Sequence, residues 1–114
     1  MKARPIIIED GKFIDVSPED ATHIEIYIPS GYHERRLLPV QIKGSRADTG
    51  NWTWNGDIEK PTLKPSILTQ SGYFDGEKTI PFRCHTFVND GMVKFLNDCT
   101  HDNRGKDIEL LDIK

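Results

Sequence analysis

Asn89-Asp90-Gly91 lies between two β-rich runs, Cys84 to Val88 and Met92 to Leu96, and no other feature constrains the fold as tightly. A two-residue Asp-Gly loop suits a type I′ turn, which needs positive φ at both positions and has a twist that matches the flanking strands. With Asp90 and Gly91 as the loop, Asn89 faces Met92, Val88 faces Val93, Thr86 faces Phe95 and Cys84 faces Asn97. Side chains alternate along a strand. One face of the hairpin therefore carries Cys84, Thr86, Val88, Val93 and Phe95, followed, if extension continues, by Cys99 and His101. The other carries His85, Phe87, Lys94, Leu96 and Asp98.

The rest of the chain is written in the same style. Ile6 to Ile8 reads as a buried strand, and Lys12 to Val16 as its partner after an Asp10-Gly11 turn. Thr22 to Ile28 alternates, with Ile24, Ile26 and Ile28 on one face and His23, Glu25 and Tyr27 on the other. Pro29-Ser30-Gly31 ends it. Arg35 to Lys43 is a further extended run, and Pro39 places it at an edge or a bulge. Gly44 to Gly50 reads as a loop. Trp52 to Trp54 is a short strand with both tryptophans on one face, closed by Asn55-Gly56. Lys60 to Thr69 has two prolines, which bias the residues before them to extended geometry, so an irregular strand through Ser66 follows. Ser71-Gly72 and Asp75-Gly76 read as turns, Cys99 to Arg104 as the best place for a helical turn, and Lys106 to Ile113 as a last strand. With seven Pro and nine Gly spread through 114 residues, no long helix is expected. The expectation is one mostly β domain over 1–114, a small antiparallel sandwich or partly open barrel.

Two chemical groupings follow from the hairpin. Cys84 and Cys99 are diagonal neighbours with His101 just beyond, a soft donor set within reach of one zinc ion. His85 is diagonal to Asp98 on the opposite face, where a carboxylate can orient the ring. A hydroxyl from the next strand would complete a triad, with Ser66 the natural candidate and Thr62 behind it. Each has a plainer reading. Cys84 can be a small buried hydrophobe, Ser66 a turn residue, and His85 with Asp98 an ordinary polar pair. Trp52 and Trp54 suit a core. If exposed, they and Thr62 are the candidate substrate contacts. His23, His33 and the Glu34-Arg35-Arg36 run read as solvated.

The charge balance narrows the partners. Fifteen Lys and Arg against eighteen Asp and Glu give a net charge of −3. Nucleic-acid binding through Arg35, Arg36, Lys43 and Arg46 with the tryptophans is therefore the least favoured reading. No apolar run approaches a membrane span, and the first residues have no apolar stretch of signal-peptide length. A cytoplasmic protein, in a bacterium or a phage-infected host, is expected. There Cys84 and Cys99 are thiols or metal ligands and not a stable disulfide.

The blocks Trp52-Thr53-Trp54-Asn55-Gly56, Pro61-Thr62-Leu63-Lys64-Pro65-Ser66-Ile67, Cys84-His85 and Asp98-Cys99-Thr100-His101 stand in a fixed order. With Gly105 and the apolar stretch Ile108 to Leu111 after them, they resemble a small domain family common in phages and prophages. The resemblance covers about residues 51–111 and leaves residues 1–46 aside as strands that pack on this core. Relatives in bacterial ubiquitination-like (Bub) operons are implicated as Ser–His peptidases that process a ubiquitin-like protein. The resemblance implies Ser66 as nucleophile and His85 as base, with His101 as the competing base, and it also fits a metal site at Cys84, Cys99 and His101. The resulting expectation is a small serine peptidase or amide hydrolase using Ser66, His85 and Asp98, acting on a protein such as a ubiquitin-like tail. The alternative is a zinc-stabilised, non-enzymatic phage or bacterial module that binds another protein.

Overall fold

The structure, a computed structural model, describes residues 1–30, 34–42 and 51–113, with Tyr73 as backbone only. The Gly44–Gly50 loop, His33, Lys43 and Arg46 lie outside these residues. Among the described residues nine strands follow in chain order: β1 (Arg4–Glu9), β2 (Lys12–Asp15), β3 (His23–Tyr27), β4 (Arg35–Ile42), β5 (Trp52–Trp54), β6 (Leu63–Phe74), β7 (Thr79–Asn89), β8 (Met92–Phe95) and β9 (Asp107–Glu109). They form one sheet in the order β2-β1-β3-β4-β5-β6-β7-β8-β9. All neighbours are antiparallel except β4 and β5, which run parallel, so the sheet is mixed. It does not close into a barrel. The only helical piece among the described residues is one 3-10 turn, Pro18–Asp20, and no helix is long and apolar enough to cross a membrane.

Turn chemistry sets the registers. Asp10 and Gly11 both have positive φ, as do Asp90 and Gly91, so each Asp-Gly pair forms the turn its sequence demands. Glu9 then faces Lys12, and Asn89 faces Met92 with Thr86 opposite Phe95, the register read from the sequence. The β6–β7 hairpin turns at Asp75-Gly76. There the Asp75 carboxylate accepts the backbone N–H groups of Glu77 and Lys78, both at 2.9 Å. Those two bonds hold the Asp75 carboxyl below the usual carboxylate range. Ser71-Gly72, expected as a turn, lies inside β6 instead, and Gly72 lacks the positive φ of a turn glycine.

Pro39 sits mid-sheet without harm. Val40 N–H donates to Thr22 on the β3 side, so the Pro39 nitrogen points the other way, where pairing to β5 begins only at Val40. The missing donor thus falls on a locally open edge.

One apolar cluster joins both halves of the sheet. Ile24, Ile26, Leu38 and Val40 from β3 and β4 pack with Trp54, Ile67, Cys84, Val88, Val93 and Phe95 from β5 to β8. A sheet whose distant strands share one core must fold over on itself. Backbone bonds between its ends hold it so: Leu111 N–H to Tyr27 and Ile113 N–H to Met1. Glu25 breaks the expected alternation. It is buried, its carboxylate between Arg35 at 2.6 Å and Arg4 at 3.7 Å, so the charge is compensated where it lies. Arg35, expected in a solvated run with Glu34, is thereby committed to Glu25, and it also stacks over Phe13.

Thr86 is fully buried, and among the described residues its hydroxyl has no hydrogen-bond partner. Burying an unpaired hydroxyl costs about 1–3 kcal/mol, and valine keeps the shape without the polar atom. Thr86→Val should therefore raise the melting temperature, by roughly 4 °C per kcal/mol recovered at this size. A fall in melting temperature would show that the hydroxyl has a partner.

Candidate functional site

Ser66 is positioned by an irregularity in β6. Between Leu63 and Ile67 the register against β7 shifts, so four steps along β6 match two along β7, from Val88 to Thr86. From Ile67 onward the pairing is regular, and Leu68 faces His85. Cross-strand partners point to the same side, and so does every second residue. Ser66 and His85 are therefore diagonal neighbours on the outer face. The Ser66 Oγ lies 2.9 Å from His85 Nε2.

The other nitrogen of the ring, His85 Nδ1, lies 3.2 Å from Asp98 Oδ2. A carboxylate only accepts, so Nδ1 carries the hydrogen and Nε2 is left with its lone pair toward the serine hydroxyl. The same Oδ2 is 3.0 Å from Arg83 Nε. The loss of solvation pulls the Asp98 carboxyl upward, but the His85 hydrogen bond and the Arg83 charge outweigh it, and the group ends below the usual carboxylate range. Asp98 is thus an anion at neutral pH. The site is open: the His85 side chain is 24% exposed and that of Asp98 is 42% exposed.

The hairpin reading places Asp98 and Cys99 on continuing strand, and here the structure differs. Strand β8 ends at Phe95, and the chain turns, with Cys99 N–H donating to Leu96 O. Thr100 then caps Arg83 on β7, giving and receiving backbone bonds. The turn brings Asp98 to His85 and folds Cys99 beneath it. His85 N–H lies 3.2 Å from Cys99 Sγ, and the thiol in turn lies 3.3 Å from His85 O. The segment from Cys99 to Arg104 forms hydrogen-bonded turns and no helix.

On the inner face the donor atoms of Cys84, Cys99 and His101 all lie within 4.8 Å of one another. Both cysteines are buried thiols. Burial, then the neighbouring Cys99, pushes the Cys84 thiol up to about 12, which removes it as a nucleophile at neutral pH. His101 Nε2 is 3.3 Å from Cys84 Sγ, and its ring packs on Phe82 and edge-on to Phe95. Of the two candidate bases, the one whose ring touches Ser66 is His85. The soft two-sulfur, one-nitrogen set suits zinc. Its protons do not yet suit an ion: Asn103 N–H donates to His101 Nδ1 at 3.2 Å, so the neutral ring holds its hydrogen on Nε2. Were Nε2 to ligate an ion, that hydrogen would have to pass to Nδ1, at the expense of the Asn103 bond.

The candidate substrate contacts divide. Trp54 is fully buried, with its indole N–H on Asp57 O at 3.3 Å, so it is a core residue with no surface to offer a substrate. Thr62 is tied to the β7–β8 turn, accepting Asp90 N–H at 2.8 Å. Trp52 is half-buried, and its indole N–H reaches Ser66 O at 3.3 Å, next to the hydroxyl. Sequence reasoning missed Arg83. It lies two residues before His85 on one strand face, and alternation alone would have found it.

A family model described as "Bacterial ubiquitination-like system serine protease (BubE)" matches residues 3–96. No curated protein and no solved structure matches the chain. The matched span takes in β1 to β4, the half that the motif blocks left aside, and it stops before Asp98, Cys99 and His101.

Proposed function

Because the chain belongs to the BubE family, serine proteases of bacterial ubiquitination-like systems, we propose that Ser66 and His85 form its catalytic dyad. The observation that carries this reading is the 2.9 Å contact between Ser66 Oγ and His85 Nε2, the ring nitrogen on the side away from Asp98. A serine hydroxyl is a poor nucleophile until a neighbouring base takes its proton. His85 takes that proton as Oγ bonds to the scissile carbonyl carbon. It then gives the proton to the leaving nitrogen as the carbon–nitrogen bond breaks. A water, activated by the same ring, releases the acyl group and restores the serine. Asp98 orients His85 through Nδ1 and stabilises the charged ring. An open sheet face admits a protein chain, and a ubiquitin-like protein with a flexible C-terminal tail is a substrate that suits a serine protease of a ubiquitination-like system.

Cys84, Cys99 and His101 hold a zinc ion in this reading, and their closeness supports it. Its contribution is structural: it ties the turn after β8 to β7 directly beneath His85.

The test is cleavage of a ubiquitin-like protein from such a system that carries a short C-terminal extension. Wild-type protein should release the extension, and Ser66→Ala should not, while retaining its circular dichroism and melting temperature. Equal cleavage by both proteins would end the proposal.

A further inference from the structure

Strand β6 is twelve residues long, yet β5 pairs with it only at Leu63 and Lys64. The hydrogen-bond phase shows what the remaining edge offers. Arg83 and His85 both turn their backbone groups away from β6: Thr100 N–H donates to Arg83 O, and Leu96 N–H to His85 O. In an antiparallel ladder the two backbone groups of a residue point the same way, and successive residues alternate. Cys84 and Thr86 therefore bond to Thr69 and Ile67, their partners on β6. Leu68 and Gln70 must point their N–H and C=O groups the other way. Ser66 has the same phase, and its carbonyl indeed faces Trp52 on the β5 side. Among the described residues, nothing takes up the backbone groups of Leu68 and Gln70 on that edge.

Exposed edges are ordinarily blunted by charges or proline. From Ser66 to Phe74 this strand has neither, reading Ser-Ile-Leu-Thr-Gln-Ser-Gly-Tyr-Phe. The edge ends at Trp52, whose indole sits on Ser66 O. Leu68, across from His85, is 41% exposed on the same face as the Ser66 hydroxyl.

We propose that this edge is the substrate-binding site. An extended peptide adds to β6 as an antiparallel strand along Leu68 and Gln70 and runs toward Ser66, where Trp52 and β5 stop it. The inference rests on the Ser66–His85 dyad and names what the dyad receives: an unstructured tail of at least about four residues before the scissile bond. A folded loop or a tail with proline in that stretch cannot supply alternate N–H and C=O groups to the edge.

Two probes test this on the full chain: acetyl-tetra-alanine with a terminal diphenyl phosphonate, and the single-residue acetyl-alanine phosphonate. The longer probe should inactivate on the order of tenfold faster or more, one decade for each 1.4 kcal/mol of added binding. Hydrogen exchange at the Leu68 and Gln70 amides should slow in its adduct and not in the shorter one. Gln70→Pro removes one outward N–H without touching the β7 ladder, so it should keep the fold and lose the rate advantage. Equal rates with unchanged exchange at Leu68 and Gln70 would overturn the proposal. So would a dimer, seen by sedimentation, that protects the same amides without any peptide. Free acetyl-tetra-alanine amide separates the two claims. Protection of the edge by this peptide with no labelling of Ser66 by either phosphonate keeps the edge and refutes the dyad.

Discussion

Replacing His85 by alanine should cost as much activity as replacing Ser66 by alanine, roughly 10⁴-fold or more in kcat. The equality follows from the geometry. Ser66 Oγ meets a base in His85 Nε2, and without that base the hydroxyl keeps its proton. The double variant should be little worse than either single one, because nucleophile and base act as a unit. Asp98→Asn should cost much less. The Asp98 oxygen that faces His85 also faces Arg83, and the site is open to water, so solvent and a competing cation both weaken its hold on the ring. Steady-state kinetics on the four proteins checks this ordering. If His85→Ala lowers stability but leaves kcat within a few-fold, the histidine is a structural partner and nothing more.

The second large effect concerns the thiol cluster. Protein produced with zinc available should hold close to one equivalent by elemental analysis. Cys99→Ser should hold far less and melt lower, because metal binding energy is folding energy. The melting temperature should fall by roughly 4 °C for each kcal/mol of binding energy lost at this chain length. Cys99→Ser should also lower activity at temperatures where the protein stays folded. The backbone N–H and C=O of His85 both meet the Cys99 sulfur, so its removal loosens the strand that presents the base. Binding should release protons and weaken as pH falls, since the thiols must ionise and the His101 hydrogen must leave Nε2. A fully folded, metal-free protein with both thiols intact, unchanged in stability by added zinc, would return the two cysteines to the role of small core residues.

Much of this was legible in the sequence because short-range turn chemistry carried it. Asp90-Gly91 dictates positive φ at two positions, hence the hairpin register, hence the opposite faces of Cys84 and His85. The diagonal placement of Ser66 was not legible. It depends on how far β6 slips between Leu63 and Ile67, and a bulge leaves no periodic mark. Asp98 and Cys99 reach their places by a turn at Leu96 that strand alternation does not foresee. Glu25 shows a further limit. A sheet that folds over on itself buries parts of both faces, so Glu25, on the outward side by alternation, is enclosed between two arginines. The motif blocks cover the second half of the chain, while the family match begins at residue 3.

The central claim is that Ser66 is the nucleophile, and the most direct measurement is where an active-site phosphonate lands. After incubation with a peptidyl diphenyl phosphonate, intact mass should rise by one phosphonyl group per chain, and peptide mapping should place it on Ser66. The His85→Ala protein should react at least about a hundredfold more slowly, the usual share of a general base. A modification found on another serine, or equal labelling of wild-type and His85→Ala protein, would contradict the account.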